Sequence, residues 1–312
     1  MAAFDGKGLY SMKSRSDTLR GRRQRSANIA AFVFLLPVIL LLTIFIFYPI
    51  VDSFIISTYK WNGIAADKTF IGAANWVKLA GDRDFWFAFR NNILIMVMSI
   101  IIQIPIGLAE ATFIEFVGKK ATICKILWFI PMLMSSVAIG FLFTYALAAN
   151  GGMISAVSRL FGGGNIDLLG NKNTALMTVI FVIAWQFIPF YMVYAMAGYT
   201  GISEDVYEAS SIDGATKSQY FWKIALPLLM PALKSAAILS MVGSLKYFDL
   251  IYVMTGGGPG TATELMATYM YKNAFAQFNM GYGSAVAAGM FLLITLLSLV
   301  TMRLINGKKE AE

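Results

Sequence analysis

The chain has 312 residues, of which 58% are hydrophobic and only 13% are charged, and its mean hydropathy is +0.68. A soluble domain is about half apolar and about a quarter charged. Because the apolar residues also gather in runs as long as a bilayer-spanning helix, we expect an all-α polytopic membrane protein. Histidine is absent and Cys124 is the single cysteine. This excludes Ser-His-Asp and Cys-His catalysis, histidine-based metal sites and an internal disulfide, so we predict no catalytic residue and no metal site.

The first 28 residues form a basic tail that we place in the cytoplasm. The net charge of +8 by itself would also suit a nucleic-acid partner. However, seven basic residues stand directly before the first apolar run, where cytoplasmic charges set membrane topology. They are Lys7, Lys13, Arg15, Arg20, Arg22, Arg23 and Arg25. We therefore predict no nucleic-acid binding. The first run is too long for a signal peptide and has no small-residue cleavage site, which favours a retained membrane anchor.

Six apolar runs are long enough to cross a bilayer. The predicted spans are 29–48, 93–117, 123–149, 174–199, 233–254 and 284–305. Together they make residues 29–305 one transmembrane domain, followed by a short tail, 306–312. With the N-terminus inside, 16 lysines and arginines fall on the cytoplasmic side and 8 on the other side. This bias predicts that both termini are cytoplasmic.

The loop 200–232 joins the fourth and fifth predicted spans on the cytoplasmic side. Its sequence predicts a short helix with Ser203 as the N-cap, a turn at Gly214 and a second helix ended by proline. The second helix is strongly apolar for a cytoplasmic segment. Its apolar side chains are Phe221, Trp222, Ile224 and Leu226. An exposed apolar patch with an acidic rim is typical of a protein interface.

The segment Glu208-Ala209-Ser210-Ser211-Ile212-Asp213-Gly214-Ala215 is followed by Phe221, Ile224 and Leu226-Pro227-Leu228. This pattern resembles the signature loop of permease subunits of bacterial ATP-binding-cassette (ABC) importers, in the maltose-permease-like carbohydrate branch. Ser210 stands where the commonest form of the loop has alanine. The resemblance implies the type I importer permease fold and a coupling helix that inserts into a separate ATPase. It assigns this contact to Glu208, Ala209, Ser210, Asp213, Gly214, Phe221, Ile224 and Pro227.

No Gly-Lys pair in the chain is followed by a hydroxyl residue, so no Walker-type phosphate loop is encoded. We therefore expect no cofactor on this chain, with ATP and Mg bound by the partner ATPase. The resemblance implies a second permease subunit in a heterodimer, two ABC ATPase subunits and an extracytoplasmic solute-binding protein. It also implies a place among the lipids of the bacterial inner membrane.

Polar and aromatic residues inside the fourth and fifth predicted spans are candidates for the solute pathway. Aromatic faces and hydrogen-bonding groups together suit a sugar. The candidates are Trp185, Gln186 and Phe190, then Ser240, Gly243, Ser244 and Tyr247, and by resemblance Met132. The alternative is that the small residues only pack helices together. The solute is expected to be a sugar or oligosaccharide, with a sugar phosphate or a polyol as alternatives.

A transporter independent of any ATPase is the other class of protein to consider. It would need ion-coupling residues inside the membrane, and it would leave the apolar cytoplasmic loop unexplained. Lys246 and Asp249 lie three residues apart and are expected to pair with each other. Glu110 and Glu115 stand near the inner end of the second span, where the lysines that follow could neutralise them.

Overall fold

The structure is a computed structural model that describes residues 31–306, without the side chains of Lys119 and of residues 304–306. The predicted tails, 1–28 and 306–312, lie outside the described residues apart from the backbone of Asn306. The chain divides into two compact units, residues 1–55 and residues 56–312. In the first unit the described residues belong to one helix, α1 (Ala31–Ile56), which contains a π-helical turn at Thr43–Phe47.

The second unit is helical apart from one short antiparallel hairpin. The hairpin pairs β1 (Tyr59–Lys60) with β2 (Thr69–Phe70). The helices are α2 (Ala74–Gly81), α3 (Arg83–Val117), α4 (Thr122–Leu133), α5 (Ser136–Ala146), α6 (Met153–Leu160), α7 (Ala175–Tyr199), α8 (Glu204–Ile212), α9 (Lys217–Ser244), α10 (Asp249–Met254), α11 (Met266–Tyr271) and α12 (Met280–Asn306).

Five helices in the described residues are long and apolar enough to cross a membrane, and a bent pair makes a sixth candidate. The five are α1, α3, α7, α9 and α12, and the bent pair is α4 with α5. The predicted all-α polytopic class is therefore confirmed. Helix α7 begins one residue after the predicted fourth span and ends at the same residue, Tyr199.

The second helix differs from its predicted span at the start, which is Arg83 and not Ile93. Asp82 caps it, because its carboxylate accepts hydrogen bonds from the backbone N–H groups of Asp84 and Phe85 at 3.0 and 3.3 Å. The helix therefore begins at its polar cap, ten residues before the apolar run.

The third predicted span, 123–149, was wrong as one continuous helix, because α4 and α5 meet at an angle of 94°. Met134 and Ser135 between them have extended backbone conformations. Gln186 of α7 holds this break, since its Nε2 donates to the Ser136 hydroxyl at 3.0 Å and lies 3.5 Å from the Met134 carbonyl oxygen. The buried Gln186 amide therefore supplies hydrogen bonds at the break, where the regular hydrogen-bond pattern of the helix is interrupted.

The fifth predicted span, 233–254, was also wrong in its limits. Helix α9 begins at Lys217, runs through Pro227 and Pro231, and ends at Ser244. The expected stop at proline does not occur. A π-helical turn at Phe221–Ala225 comes first, so that Pro227 falls in the first turn of the α-helical part, where a missing N–H costs little.

Asn92 of α3 fixes the end of α9. Its Nδ2 lies 3.4 Å from the carbonyl oxygens of both Ser244 and Leu245. Its Oδ1 accepts the backbone N–H of Met266 at 2.9 Å. One fully buried amide thus joins α3 to the end of α9 and the start of α11.

Helices α3 and α7 form the centre of the second unit. They approach closely at Gly107, where an added Cβ would lie 2.7 Å from the backbone nitrogen of Met192. Small residues allow such backbone contact between membrane helices. Buried Ile95, Val179 and Ile183 fill one part of the core, and Ala111 and Ala195 lie in another.

A polar cluster joins the N-terminal end of α3 to α11 and α12. The Asp82 carboxylate accepts a hydrogen bond from the hydroxyl of Tyr269 at 2.6 Å and another from that of Tyr282. Partial burial acts to raise the pKa of Asp82, but these bonds and the two backbone N–H groups outweigh it and hold the pKa below its usual 3.8. Burial and the bond to Asp82 raise the pKa of Tyr269 to about 12.

We expect Asp82→Asn to lower the midpoint of thermal unfolding by roughly 2–4 °C at pH 7, because an amide accepts these bonds less strongly. The folded-state pKa lies below the usual one, so the stabilisation is complete above about pH 4 and is lost as the pH falls through the folded value. The difference between wild type and variant should therefore shrink at acidic pH. Asp84→Asn, on an exposed neighbour, is the control, and an equal shift for both variants would contradict the cluster's role.

Candidate functional site

Residues 203–226, which we call the docking segment because the resemblance assigns a partner contact to them, form a helix, a turn and the start of α9. Ser203 occupies the predicted N-cap of α8 with an extended backbone, but its hydroxyl makes no capping bond. Gly214 has φ +79°, the left-handed conformation that glycine adopts without strain. Thr216 and Gln219 then form a capping box, in which the Gln219 side chain accepts the Thr216 N–H at 2.8 Å.

One side of the docking segment is anchored on the ends of α3 and α7. Tyr220, Ala225 and Leu229 are buried in a cluster with Ala111 and Tyr199. Ser210 is buried as well, and its hydroxyl donates to the Tyr207 carbonyl oxygen at 2.7 Å. The segment is therefore a fixed part of the helical core and not a free loop.

The other side of the docking segment is exposed. Of the residues that the resemblance assigns to a partner contact, Glu208, Ala209, Asp213, Gly214 and Pro227 are exposed, Phe221 and Ile224 are half-buried, and Ser210 is buried. Of the four apolar side chains expected in an exposed patch, Trp222 is exposed, whereas Phe221, Ile224 and Leu226 are half-buried, so the expectation was wrong for these three.

The most exposed large apolar side chains of the segment are Ile212, 86% exposed, and Trp222, 64% exposed. The helical period explains this, because Ile224 lies one turn after buried Tyr220 and faces the core with it, whereas Trp222 lies between them on the outer side. The sequence analysis did not single out Ile212. Its position just before the glycine turn was the feature that could have indicated its exposure.

The predicted serine face of α9 is packed within this chain. Ser240 and Ser244 are each 2% exposed. Gly243 is exposed, and a Cβ added there would meet no atom within 4 Å. The open surface at this level of α9 is therefore at Gly243.

The aromatic candidates lie partly buried between helices. Trp185 packs edge-on against Phe143 with ring centres 5.3 Å apart, and Tyr247 packs against Phe187 at 5.7 Å. Phe190 packs against Tyr191 at 5.2 Å.

The other two candidates lie close to the break between α4 and α5. Met132 is half-buried in the last turn of α4. Gln186 is buried, and one of its bonds reaches Ser136; its Oε1 has no partner among the described residues. The structure thus brings Met132 and Gln186 to the break, whereas Phe190 packs one turn further along α7.

One expected charge pairing differs in the structure. Lys246 and Asp249 are both exposed and form no ion pair, so the predicted pair was wrong; α9 ends at Ser244, and the two residues do not share a helical turn. Glu115 is exposed, and Glu110 is half-buried beside a cavity of about 260 Å³ that Trp128 and Trp185 also line.

Sequence reasoning missed several polar residues that order the segment between α10 and α11. Glu264 is 2% exposed and pairs with Lys272. The Asn91 amide donates to the carbonyl oxygens of Ala262 and Glu264 at 3.1 and 3.0 Å. The adjacent amides Asn91-Asn92 at the edge of an apolar run were the signal. Within residues 31–306 no group of three or more potential metal ligands occurs.

These features define a helical membrane protein whose docking segment is packed against the core and whose helix breaks carry buried polar residues. Comparison with known proteins identifies the family of this protein. The profile of a family described as the binding-protein-dependent transport system inner membrane component matches residues 121–310. This chain belongs to that family.

Relatives that align with nearly the whole chain support this family assignment. The probable ABC transporter permease protein YurN of Bacillus subtilis (strain 168) is 32% identical over 287 residues, which cover 91% of this chain and 98% of that protein. The trehalose/maltose transport system permease protein MalF of Thermococcus litoralis is 28% identical over 283 residues, 89% of this chain and 94% of MalF.

A solved structure shows the same fold. The crystal structure of a bacterial ABC transporter involved in the import of the acidic polysaccharide alginate has a chain that superposes with a TM-score of 0.79 at 20% identity. The match covers 93% of this chain and 99% of that chain. This chain is thus a non-catalytic membrane subunit, an ABC importer permease with several membrane-spanning helices.

We expect Gly214→Val to destabilise the turn of the docking segment by about 1–2 kcal/mol, because a β-branched side chain disfavours the left-handed conformation. Gly214→Asn is the matched control, since asparagine tolerates that conformation and no atom lies near the added Cβ. Hydrogen exchange at the Ala215 amide, which donates to the Ser210 carbonyl oxygen at 3.0 Å, is the measurement. Equal protection in both variants would contradict the conformational requirement.

Proposed function

We propose that this chain forms half of the translocation pathway of an ATP-driven importer for a sugar or oligosaccharide, and that the docking segment couples it to a separate ATPase. The observation that carries the proposal is the exposure of Ile212 and Trp222 on a segment that is otherwise fixed to the core. Large apolar side chains exposed to water are typical of a protein interface, and tryptophan is enriched among residues that contribute most to binding.

The path from the docking segment to the membrane interior supports the coupling role. The segment runs without a break into α9, whose 28 residues extend ~42 Å at 1.5 Å per residue. A displacement of the segment would therefore move α9 and the surface at Gly243. Closure of the ATPase subunits would use this connection to change the side from which the pathway is open.

The proposed partners follow from the family and from the relatives. The family is described as binding-protein-dependent. The alginate transporter is also known in complex with a periplasmic protein that holds an alginate pentasaccharide. We infer a solute-binding protein, a second permease subunit and two ATPase subunits that hold ATP and Mg. The docking segment and both termini would then face the cytoplasm.

The sugar class rests on relatives such as the trehalose/maltose permease and on the side chains near the helix break. Gln186 supplies an amide oxygen that no described residue uses, and Trp185 supplies an aromatic face close by in sequence. Amide groups can bind sugar hydroxyls while ring faces contact the C–H surface of the sugar.

Coupling is tested by solute-stimulated ATP hydrolysis of the assembled importer. We expect Ile212→Asp and Glu208→Ala each to lower the stimulated rate by about tenfold or more, because each removes part of the contact with the ATPase. Asp205→Ala, on an exposed acid of the same helix, is the control. Wild-type rates in both variants, or solute uptake without any ATPase, would overturn the coupling proposal.

The pathway is tested at Gly243, where an added Cβ meets no atom of this chain within 4 Å. We expect Gly243→Trp to abolish uptake while the subunits still assemble, because the ring would occupy the open surface of α9. Leu292→Trp, at an exposed position on α12, controls for the added tryptophan. Unchanged uptake would remove this surface from the pathway, and loss of assembly would place Gly243 at a subunit interface instead.

A further inference from the structure

Helix α6 (Met153–Leu160) turns its polar side toward the protein and its apolar side outward. Ser155 is fully buried, and its hydroxyl donates to the Ile166 carbonyl oxygen at 3.2 Å and accepts the Ile166 N–H at 3.0 Å. The outer side carries large apolar side chains that are between 46% and 87% exposed. They are Met153, Val157, Leu160 and, directly after the helix, Phe161, and we call these four the apolar stripe. A surface helix of a soluble protein has the opposite arrangement.

The helical period makes the apolar stripe continuous. Successive residues of an α-helix are ~100° apart, so the four side chains lie together on one side and Ser155 and Arg159 lie on the other. Arg159 is held on the polar side, because its Nε donates to the Ser155 carbonyl oxygen at 3.3 Å. A contiguous exposed apolar surface of this kind marks contact with a membrane or with another protein.

Backbone contacts at both ends of α6 fix this orientation. A Cβ added at Gly152, directly before the helix, would collide with the Ala148 carbonyl oxygen, so the turn requires glycine. The Gly152 N–H donates to that same oxygen at 3.2 Å. Beyond the helix, the chain returns to Ile166, which is bonded to Ser155 through both of its backbone groups. The outward apolar stripe is therefore a fixed feature of the fold.

A cavity of about 630 Å³ connects α6 with the neighbouring helices α5 and α7. Phe143 of α5, Met153 of α6, and Met177 and Phe181 of α7 line it. Met177 and Phe181 are exposed, and α7 is one of the helices long and apolar enough to cross the membrane. The surface of α6 is thus continuous, across this cavity, with the exposed apolar surface of a membrane-spanning helix.

The position of the cavity along α7 corresponds to the edge of the bilayer. It is lined by Thr174, directly before the first residue of α7, and by Phe181. Seven residues separate the two, which is ~10 Å along the axis at 1.5 Å per residue. Helices that lie in the membrane interface bury their apolar face ~5–10 Å into the boundary between headgroups and acyl chains, with basic residues on the polar face. Helix α6 with Arg159 has both properties.

We propose that α6 is an interfacial helix that rests on the phospholipids of the bilayer, and that a phospholipid acyl chain occupies the cavity between α5, α6 and α7. Apart from Asn173, Thr174 and Thr178, every residue that lines the cavity is apolar. A water-soluble ligand would lose its hydrogen bonds there, whereas a hydrocarbon chain has none to lose.

The lipid belongs to the leaflet on the side away from the docking segment. Helix α7 starts beside α6 and ends at Tyr199, which is buried in one cluster with Tyr220 of the docking segment. The two sites are therefore at opposite ends of a membrane-spanning helix. The inference depends neither on the solute nor on the coupling role.

Spin labelling of the assembled importer in liposomes tests the location of the apolar stripe. The label is placed at Leu160→Cys, with Cys124→Ala and no other cysteine in the complex. We expect oxygen, which concentrates in lipid, to relax this label several-fold more than a water-soluble nickel complex does. Phe181→Cys on α7 should behave in the same way. Arg159→Cys, one position away on the polar side of α6, is the matched control and should favour nickel.

Two results at Leu160 would overturn the interfacial helix. A label that neither reagent reaches would show that another polypeptide covers the stripe, and a label that favours nickel would show that the stripe faces water.

Occupation of the cavity is tested by native mass spectrometry of the importer after mild delipidation. Ala146 lines the cavity, so Ala146→Trp should fill it, and we expect this variant to retain fewer phospholipids than wild type. Ala156→Trp, on α6 but outside the cavity, is the control and should retain as many as wild type. Equal retention in all three proteins would overturn the acyl-chain site.

Discussion

Within the hydrocarbon of a bilayer every backbone N–H and C=O must find its partner inside the protein, and the rest of this fold depends on how that requirement is met. The spans are interrupted after Leu133 and after Ser244. At each interruption a buried amide from a neighbouring helix donates to backbone carbonyl oxygens. Gln186 donates to that of Met134 at the first, and Asn92 to those of Ser244 and Leu245 at the second. The two breaks are therefore compatible with lipid because α3 and α7 carry these side chains.

The same two helices also determine what the docking segment can present. Tyr220 and Leu229 are buried against residues of α3 and α7, which fixes the rotation of the first turns of α9. Trp222 is then necessarily directed outward, since it lies half a turn from Tyr220. The exposed surface is thus a consequence of the buried one, and a change in the core contact would rotate Trp222 with it.

The sequence was sufficient for the all-α class, because apolar runs of about 20 residues are typical of membrane-spanning helices. It was also sufficient for the location of α7 and for the glycine turn at Gly214. It failed at the two breaks, since apolar composition does not reveal where a distant amide will satisfy the backbone. It failed for Phe221 and Ile224 for a related reason, because their burial depends on the neighbouring ends of α3 and α7. The roles of the site residues remain predictions.

The interruption after Ser244 bears on the coupling that is proposed for the docking segment. Helix α9 can transmit a push from the docking segment only as far as its rigid part extends, which is to Ser244. At that end Asn92 ties the carbonyl groups of Ser244 and Leu245 and the backbone N–H of Met266 to α3. In the proposed coupling, a movement of α9 would therefore act on α3 and on the start of α11 through this one side chain. Gly243 lies beside this connection, so the open surface of α9 is next to the point where a movement of the helix would reach α3.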